Sequence, residues 1–324
     1  MKKAFYKVIA QKFIEQLREG TAPFQKKWEP GELVAPYNPL SGTRYKGANF
    51  VNLMLQDLSD PRWMTYKQAK DNGLQVKRNE KGSKIIFAKF DTLFTEYNKA
   101  GRAIRDANGR IKKVRVALER PVIWMSTVFN ATQVKGIEEI KNEPQVWNSH
   151  KVLDDLLENS KANIRYDQRS RAFYQPGDDS IHLPPRESFV SQESFYEVAL
   201  HELAHWTGHP SRLDRGDTGS YGSDGYAREE LRAEIASFML SSKFRLGHTP
   251  KSHASYVETW VKILSDTPEE IMQASRDAQK IVTYILGFNL EKDREILKTS
   301  ELKVEGIESR NDDQKERDDF SIDM

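Results

Sequence analysis

The chain has 324 residues, of which 38% are apolar and 30% are charged, and its formal net charge is +2. This length suits two domains better than a single core, and the composition is that of an ordinary globular protein. The absence of cysteine excludes disulfides, iron–sulfur clusters, thiol nucleophiles and cysteine-ligated zinc, so any zinc must be held by histidine and carboxylate.

The N-terminal segment is predicted to form an amphipathic helix over residues 1–19 that ends at Gly20. Its apolar residues recur at helical spacing among Lys, Gln and Glu, unlike the continuous apolar core of a signal peptide. No apolar run approaches the roughly 20 residues that a membrane-spanning helix needs. We therefore expect a cytoplasmic protein with no membrane partner.

The rest of the N-terminal half shows both helix and strand signals. After a stretch rich in Pro and Gly, helices are predicted over 47–58 and 65–72, strands over 84–90, 94–97 and 120–129, and a mobile basic loop over 98–114. These signals predict an α+β domain over residues 1–140, followed by a polar linker over residues 141–148.

The C-terminal half is predicted to be mostly helical. Helices are expected over 149–160, 191–207, 226–244, 252–264 and 268–287, with short strands over 164–174 and 180–183. Ser194 and Glu197 have capping-box spacing near the start of the second of these helices. We expect one domain over 149–290 and, because the end of the chain is charged and poor in aromatics, a disordered tail over 291–324.

The strongest chemical signal is the segment His201-Glu202-Leu203-Ala204-His205. Two histidines four residues apart on a helix project from one face and can bind one ion, while Glu202 lies where it can take a proton from an activated water. So short a pattern also arises by chance, as two surface histidines on a helix. Its place in a helix with an apolar stripe favours a Zn²⁺ site with Glu202 as the catalytic base.

A catalytic zinc site needs a third protein ligand. His209 is eight residues after His201, whereas a metzincin places its third histidine ten residues after the first, so we interpret His209 as structural or as a support for a ligand. The next helix offers Glu230, the predicted ligand, and Glu234, the predicted support of a ligand histidine. Glu229 is expected to point further toward solvent and is the alternative ligand.

Two further features could serve a peptidase site. The segment Ile181-His182-Leu183 is predicted to be an edge strand that pairs with an extended peptide substrate. Tyr221 or Tyr226 could stabilise an oxyanion, although tyrosines at such positions more often only pack.

Charge is divided unequally along the chain. Residues 1–140 carry 26 Lys and Arg against 14 Asp and Glu, a net charge of +12, and the remaining residues have a net charge of −10. Such a basic half indicates either a polyanion partner or a solvated surface. Aromatic and basic residues interleave there, as single-stranded nucleic acid requires, although Trp28, Phe50 and Trp63 taken singly are expected in the core. The residues predicted to bind DNA are Tyr45, Lys46, Tyr66, Lys67, Lys77, Lys81 and Lys84.

Several motifs occur together in one order: Tyr45-Lys46-Gly47-Ala48-Asn49, then DPRWMTYKQA over 60–69, HELAHWTGH over 201–209, and 226–236. In these motifs the chain resembles the ArdC antirestriction family, which is related to the N-terminal part of TraC-type plasmid primases. The resemblance implies an N-terminal domain that binds single-stranded DNA and a C-terminal zincin-like metallopeptidase domain.

Carried over to this chain, the resemblance implies His201 and His205 as metal ligands, Glu202 as the catalytic carboxylate, and a third ligand within 229–234. It also implies a protein that protects incoming plasmid or phage DNA from restriction. The leading hypothesis is therefore an antirestriction protein with a gluzincin-like zinc peptidase site and a protein or peptide substrate. The alternatives are a DNA-binding protective protein whose zincin domain is structural, and a primase accessory protein.

Overall fold

The computed structural model describes residues 2–106, 108–138, 140, 149–216, 219–220, 222–249 and 254–289. The chain divides into two compact units, one formed by Met1–Pro144 with Gly247–Arg276 and the other by Gln145–Leu246 with Asp277–Met324. The expected linker at 141–148 and the expected tail from 291 lie outside the described residues. Among the helices that are described, none is both long enough and apolar enough to span a bilayer.

Helices and strands are mixed along the chain, which confirms the predicted α+β class. The helices are α1 (Lys2–Glu19), α2 (Gly47–Met54), α3 (Tyr66–Asp71), α4 (Ser149–Ser160), α5 (Gln192–Trp206), α6 (Asp224–Phe244), α7 (Ala254–Asp266) and α8 (Glu270–Leu286). The strands are β1 (Trp63–Thr65), β2 (Gln75–Val76), β3 (Ser83–Thr95), β4 (Lys113–Asn130), β5 (Val134–Lys135), β6 (Asn163–Arg165), β7 (Phe173–Gln175) and β8 (Ser180–His182).

The longest feature of the first unit is the β3–β4 hairpin. β4 lies between β1 and β3 and is antiparallel to both, while β2 and β5 form a separate pair. The prediction of a loop over 98–114 is only partly right. β4 already begins at Lys113, and isolated bridges at Tyr97↔Ala103 and Arg105↔Ile111 continue the strand pairing toward the tip.

A buried apolar cluster joins β1, β3 and β4 to the segment around α2. Its members are Tyr45, Leu53, Trp63, Ile85 and Val128. The hydroxyl of Tyr45 donates to the carbonyl oxygen of Trp63 at 3.3 Å, and only 9% of the Tyr45 side chain is exposed. The prediction that Tyr45 binds DNA is therefore wrong, because its ring is packed in the core and cannot stack on a base.

Residues 247–276 pack in the first unit, although their sequence position suggests the second domain. The backbones of Trp28 and His248 bond each other in both directions at 2.8 Å, and α7 packs against α1. The rings of Phe24 and Trp260 meet edge to face at 5.8 Å. The apolar periodicity of the sequence predicts helix α7, but periodicity shows only that one face of a helix is buried and not what covers that face.

The second unit contains a small sheet beside α5 and α6. β8 lies in its centre, parallel to β6 and antiparallel to β7. The prediction that Ile181-His182-Leu183 forms an edge strand is therefore wrong, because both sides of β8 are already paired and it has no edge to offer a peptide. β7 is an edge of this sheet and packs against α5.

Serine caps set the start of the two helices that carry the candidate site. Ser191 Oγ accepts from the Ser194 backbone N–H at 3.1 Å at the start of α5, and Ser223 Oγ accepts from the Tyr226 N–H at 3.1 Å at the start of α6. The N-cap of α5 is therefore Ser191 and not Ser194, the residue that the capping-box spacing of the sequence suggests. A serine hydroxyl is favoured here because it satisfies an amide that the helix leaves without a partner.

Candidate metal centre

Two histidines of α5 and one carboxylate of α6 converge in the second unit. The Nε2 atoms of His201 and His205 are 3.2 Å apart. Glu230 Oε2 lies 3.7 Å from His201 Nε2, and Glu230 Oε1 lies 3.5 Å from His205 Nε2. The spacing of four residues places both imidazoles on one face of α5, and packing of α6 against α5 brings the carboxylate opposite them.

These distances fit a small divalent cation. Donors bound at 2.0–2.1 Å in a tetrahedron are roughly 3.3 Å apart, close to the distances among these three side chains. Imidazole nitrogen and carboxylate oxygen are ligands of zinc and of other first-row divalent ions. Three protein donors in a four-coordinate site leave one position for water or substrate, which is the arrangement of catalytic zinc sites.

Each histidine also has a second carboxylate on its other ring nitrogen. His201 Nδ1 lies 3.4 Å from Glu234 Oε2, and His205 Nδ1 lies 3.4 Å from Glu229 Oε1. A carboxylate that is hydrogen-bonded at this nitrogen, as Glu229 is to His205, fixes the tautomer and orientation of the ring and directs Nε2 toward the ion. Glu234 thus lies behind a histidine, where the sequence suggests it. Glu229 does not point toward solvent as expected, because it is 8% exposed and lies behind His205.

The nearby carboxylates favour a proton on His205. Burial lowers the pKa of this imidazole, but the negative charges around it outweigh burial and raise the pKa to about 9. These charges belong to Glu230, Glu229 and Glu202. Binding of a cation would therefore compete with a proton at this ring.

Glu230 is held in its ionised form. Burial raises the pKa of this carboxyl, but the charge of His205 and hydrogen bonds from His201 and Tyr226 outweigh burial and lower the pKa to about 2. Tyr226 therefore contacts the predicted third ligand directly. Tyr221, the other tyrosine considered for an oxyanion, lies outside the described residues.

Glu202 lies on α5 between the two histidines, and only 6% of it is exposed. Its charge contributes to the raised pKa of His205, so its carboxylate is close to the donor group. This position suits a base that takes a proton from a water beside the ion.

His209 lies in the turn after α5 and is not part of the donor group. Its Nδ1 is 2.8 Å from Ser211 Oγ, and the backbone N–H of Ser211 donates to the same nitrogen at 3.2 Å. These bonds hold the turn together, and the role of His209 as structural or as a support for a ligand stays a prediction.

Arg215 supports the site and carries no signal in the sequence. Its guanidinium donates to Glu229 Oε2 at 3.0 Å, to Thr207 Oγ1 at 2.6 Å and to the Ala204 carbonyl at 2.7 Å. Only 8% of its side chain is exposed. Arg215 thus ties the last turn of α5 to α6 through the carboxylate that lies behind His205. A lone arginine in a loop has no periodicity that could reveal such a contact.

Gly208 makes room for that guanidinium. A Cβ at this position would lie 2.8 Å from Arg215 Nη2 and 3.0 Å from the carbonyl oxygen of His205. Any larger residue would push the guanidinium away from the end of α5.

A second histidine group in the same unit resembles a hydrolytic triad but is structural. His182 Nε2 lies 2.8 Å from Ser180 Oγ, and His182 Nδ1 lies 2.9 Å from Asp167. The Ser180 hydroxyl is fully buried and donates to Asp178 Oδ1 at 2.6 Å. No substrate can reach a hydroxyl in that position, so these bonds serve to fix β8.

The remaining residues predicted to bind DNA lie on the surface of the first unit. They are Lys46, Tyr66, Lys67, Lys77, Lys81 and Lys84. Tyr66 is 59% exposed. Lys77 and Lys84 donate to Thr132 O and Thr127 Oγ1, each at 2.6 Å, without being buried. All six side chains are accessible, so DNA contact by them stays a prediction.

Two family models match the chain, one in each half. The model described as the N-terminal domain of anti-restriction factor ArdC matches residues 3–129. The model described as a zincin-like metallopeptidase matches residues 151–277, which include every residue of the candidate metal centre.

Among curated proteins, the chain is 48% identical over 298 residues to an Escherichia coli DNA primase TraC; the match covers 91% of this chain and spans 28% of that relative's length. Among solved structures, it is 30% identical to the metal-free antirestriction ArdC protein from plasmid R388, with a TM-score of 0.66, covering 88% of this chain and 98% of that chain. The Mn(II)-bound structure of the same protein matches with a TM-score of 0.65 at 30% identity, covering 87% and 97%. By its identity and coverage, this chain belongs to the ArdC antirestriction family.

Proposed function

We propose that this chain is an antirestriction protein that binds single-stranded DNA, carries a metal-dependent peptidase site, and protects incoming plasmid or phage DNA from restriction. The convergence of His201, His205 and Glu230 on one point, with Glu202 beside them, carries the proposal for the peptidase site. A purely structural cluster would not need a carboxylate base beside its metal ligands.

Zinc is the proposed ion. The relative from R388 has an Mn(II)-bound structure, which supports a divalent cation in this family. Two imidazole nitrogens and one carboxylate are the ligand set of gluzincin-like zinc peptidases, whereas manganese prefers more oxygen donors. The carboxylates behind both histidines further favour a tightly held ion.

The residues of the site have separate tasks in peptide hydrolysis. When bound, zinc supplies Lewis acidity that polarises a carbonyl and activates water near neutral pH. Glu202 would accept the proton of the attacking water and pass it to the leaving nitrogen. Because Tyr226 bonds to Glu230, we assign Tyr226 to orientation of that carboxylate and not to an oxyanion.

Replacing Glu202 with glutamine keeps the shape of the side chain and removes the base. We expect peptide hydrolysis to fall by about 10²–10⁴-fold, while the amount of metal bound per chain is unchanged. Hydrolysis of a peptide library and elemental analysis measure the two quantities. Glu187→Gln, which changes the same charge at an exposed position, is the matched control and should change neither the rate of hydrolysis nor the amount of metal bound.

The same variant separates the proposal from its alternative. If Glu202→Gln loses protection of transferred DNA with its fold and metal intact, hydrolysis is part of the function. Full protection by the variant would instead favour a DNA-binding protective protein in which the zincin domain is structural.

The first unit is proposed to bind single-stranded DNA without regard to sequence. Its support is the net charge of +12 over residues 1–140 and the accessible lysines described above. We expect affinity for an oligo-dT to fall as salt rises, with a log–log slope of about −0.7 for each phosphate contacted. Affinity that does not depend on salt, or that is equal for duplex DNA, would contradict this proposal.

A primase-accessory function is a second candidate, because the chain is 48% identical to part of a DNA primase TraC. In that function the chain would hold template for a polymerase supplied by a partner. If adding the chain increases the primer synthesis of a partner primase on single-stranded template, the accessory function is favoured.

A further inference from the structure

A pair of aromatic rings is exposed on the β3–β4 hairpin. Phe87 and Trp124 are directly opposite in the register of the two strands. Their rings stack with centroids 5.4 Å apart and planes at 17°. Phe87 is 38% exposed and Trp124 is 47% exposed. Large aromatic surface in contact with water is unfavourable, so an exposed stacked pair points to a function outside the core.

The pair continues the apolar face of the sheet beyond the core. Side chains two residues apart on a strand share a face, so Phe87 lies between Ile85 and Lys89 on that face. Ile85 is 1% exposed and packs in the core, whereas Val122, opposite Lys89, is 54% exposed. The core therefore ends between Ile85 and Phe87. From there toward the hairpin tip, the same face exposes first the aromatic pair and then Lys89 to solvent.

The hairpin that carries the pair is strongly basic. Residues 83–130 contain ten Lys and Arg against four Asp and Glu, a net charge of +6. Two of the four acidic side chains are used within the hairpin, since Asp91 pairs with Arg115 at 3.6 Å and Glu96 pairs with Lys112 at 2.8 Å. The remaining positive charge favours a polyanion as the partner of this surface.

Single-stranded DNA is the occupant that fits both properties. Its bases have apolar faces that stack on aromatic rings, and its phosphates need cations close to those rings. An apolar protein partner would be opposed by the uncompensated charge, and duplex DNA keeps its base faces inside the helix where the rings cannot reach them. Lys89 follows the ring pair on the same face, where it could contact a phosphate next to a stacked base.

We infer that the Phe87–Trp124 pair is a base-stacking platform for single-stranded DNA and that Lys89 contacts a phosphate next to it. The inference rests on the proposed DNA binding and assigns it a place on the hairpin. Neither ring is among the residues predicted from the sequence to bind DNA, although Lys84, which is among them, lies on the same strand, β3.

The test compares variants that keep or remove aromatic character. In the double variant Phe87→Leu/Trp124→Leu, affinity for a fluorescent oligo-dT at fixed salt should fall by about 5- to 150-fold for each stacked base that is lost. Trp124→Phe should bind within a few-fold of the unchanged protein, since it keeps a ring. Tyr166→Leu removes a ring that is 45% exposed in the other unit and serves as the control. Melting curves by circular dichroism verify that each variant is folded.

The outcomes distinguish this inference from the proposal of single-stranded DNA binding on which it rests. Weak binding by the double variant together with rescue by Trp124→Phe supports the stacking platform. If the unchanged protein binds single strands and the double variant binds equally well, the platform is overturned and DNA binding stands. If the unchanged protein does not bind single strands, both fail. Lys89→Gln should in addition reduce the salt slope by about 0.7, and an unchanged slope would remove Lys89 from the site.

Discussion

His201→Ala is expected to weaken binding of the divalent cation by more than about 100-fold. Replacing a residue that only supports a metal ligand typically costs 10- to 100-fold, and His201 is proposed to bind the ion directly. Its removal would leave His205 and Glu230 as two donors 3.5 Å apart, too few to hold a small ion against water. Competition with a fluorescent zinc chelator and elemental analysis of the purified protein measure the loss.

His209→Ala is the matched control, because it removes another histidine eight residues along the chain that is not among the donors. Its metal content should stay at about one ion per chain. Chelation of the unchanged protein should lower its melting temperature by about 2–4 °C for each kcal/mol of linked binding energy, and His201→Ala should be insensitive to the chelator. Equal metal content in both variants would exclude the proposed ligand set.

The pairing of the two histidines follows from the sequence alone. Spacing of four residues on a helix places His201 and His205 on one face whatever surrounds them. The choice among Glu229, Glu230 and Glu234 does not follow, since all three lie within a turn and a half of α6. Which carboxylate faces the imidazoles depends on the rotation of α6 against α5, and that is set by packing of residues far apart in sequence.

Two wrong predictions about the N-terminal half have a common physical cause. Tyr45 lies in a basic, aromatic stretch, but the sequence does not show that its ring packs on Trp63 and Ile85. The sequence predicts a loop at the hairpin tip because neither face of the tip is covered, so no alternation of apolar and polar residues marks it as a strand. Local patterns show that a residue could stack or pair, and tertiary contacts decide whether it does.

Arg215 gives the other large expected effect. Arg215→Met removes one partner of a buried ion pair and leaves the Glu229 carboxylate, 8% exposed, with only the His205 imidazole as a cationic neighbour. Breaking a pair in this way costs about 3–5 kcal/mol, because the remaining charge stays out of water. The Thr207 hydroxyl and the Ala204 carbonyl lose hydrogen bonds from the same guanidinium. Unfolding in urea measures the loss of stability.

The same variant tests whether Arg215 positions a ligand or only stabilises the fold. With Glu229 no longer held, its carboxylate can turn away from His205 Nδ1, so cation affinity of the folded protein should fall by about 10- to 100-fold. Arg215→Lys keeps the charge but cannot direct donors to three acceptors. Its cation affinity should therefore lie between that of the unchanged protein and that of Arg215→Met. In Arg215→Met/Glu229→Gln the uncompensated charge is gone, so stability should recover in part while affinity stays low. Reduced stability with unchanged cation affinity would show that Arg215 holds α5 to α6 and has no influence on the metal centre.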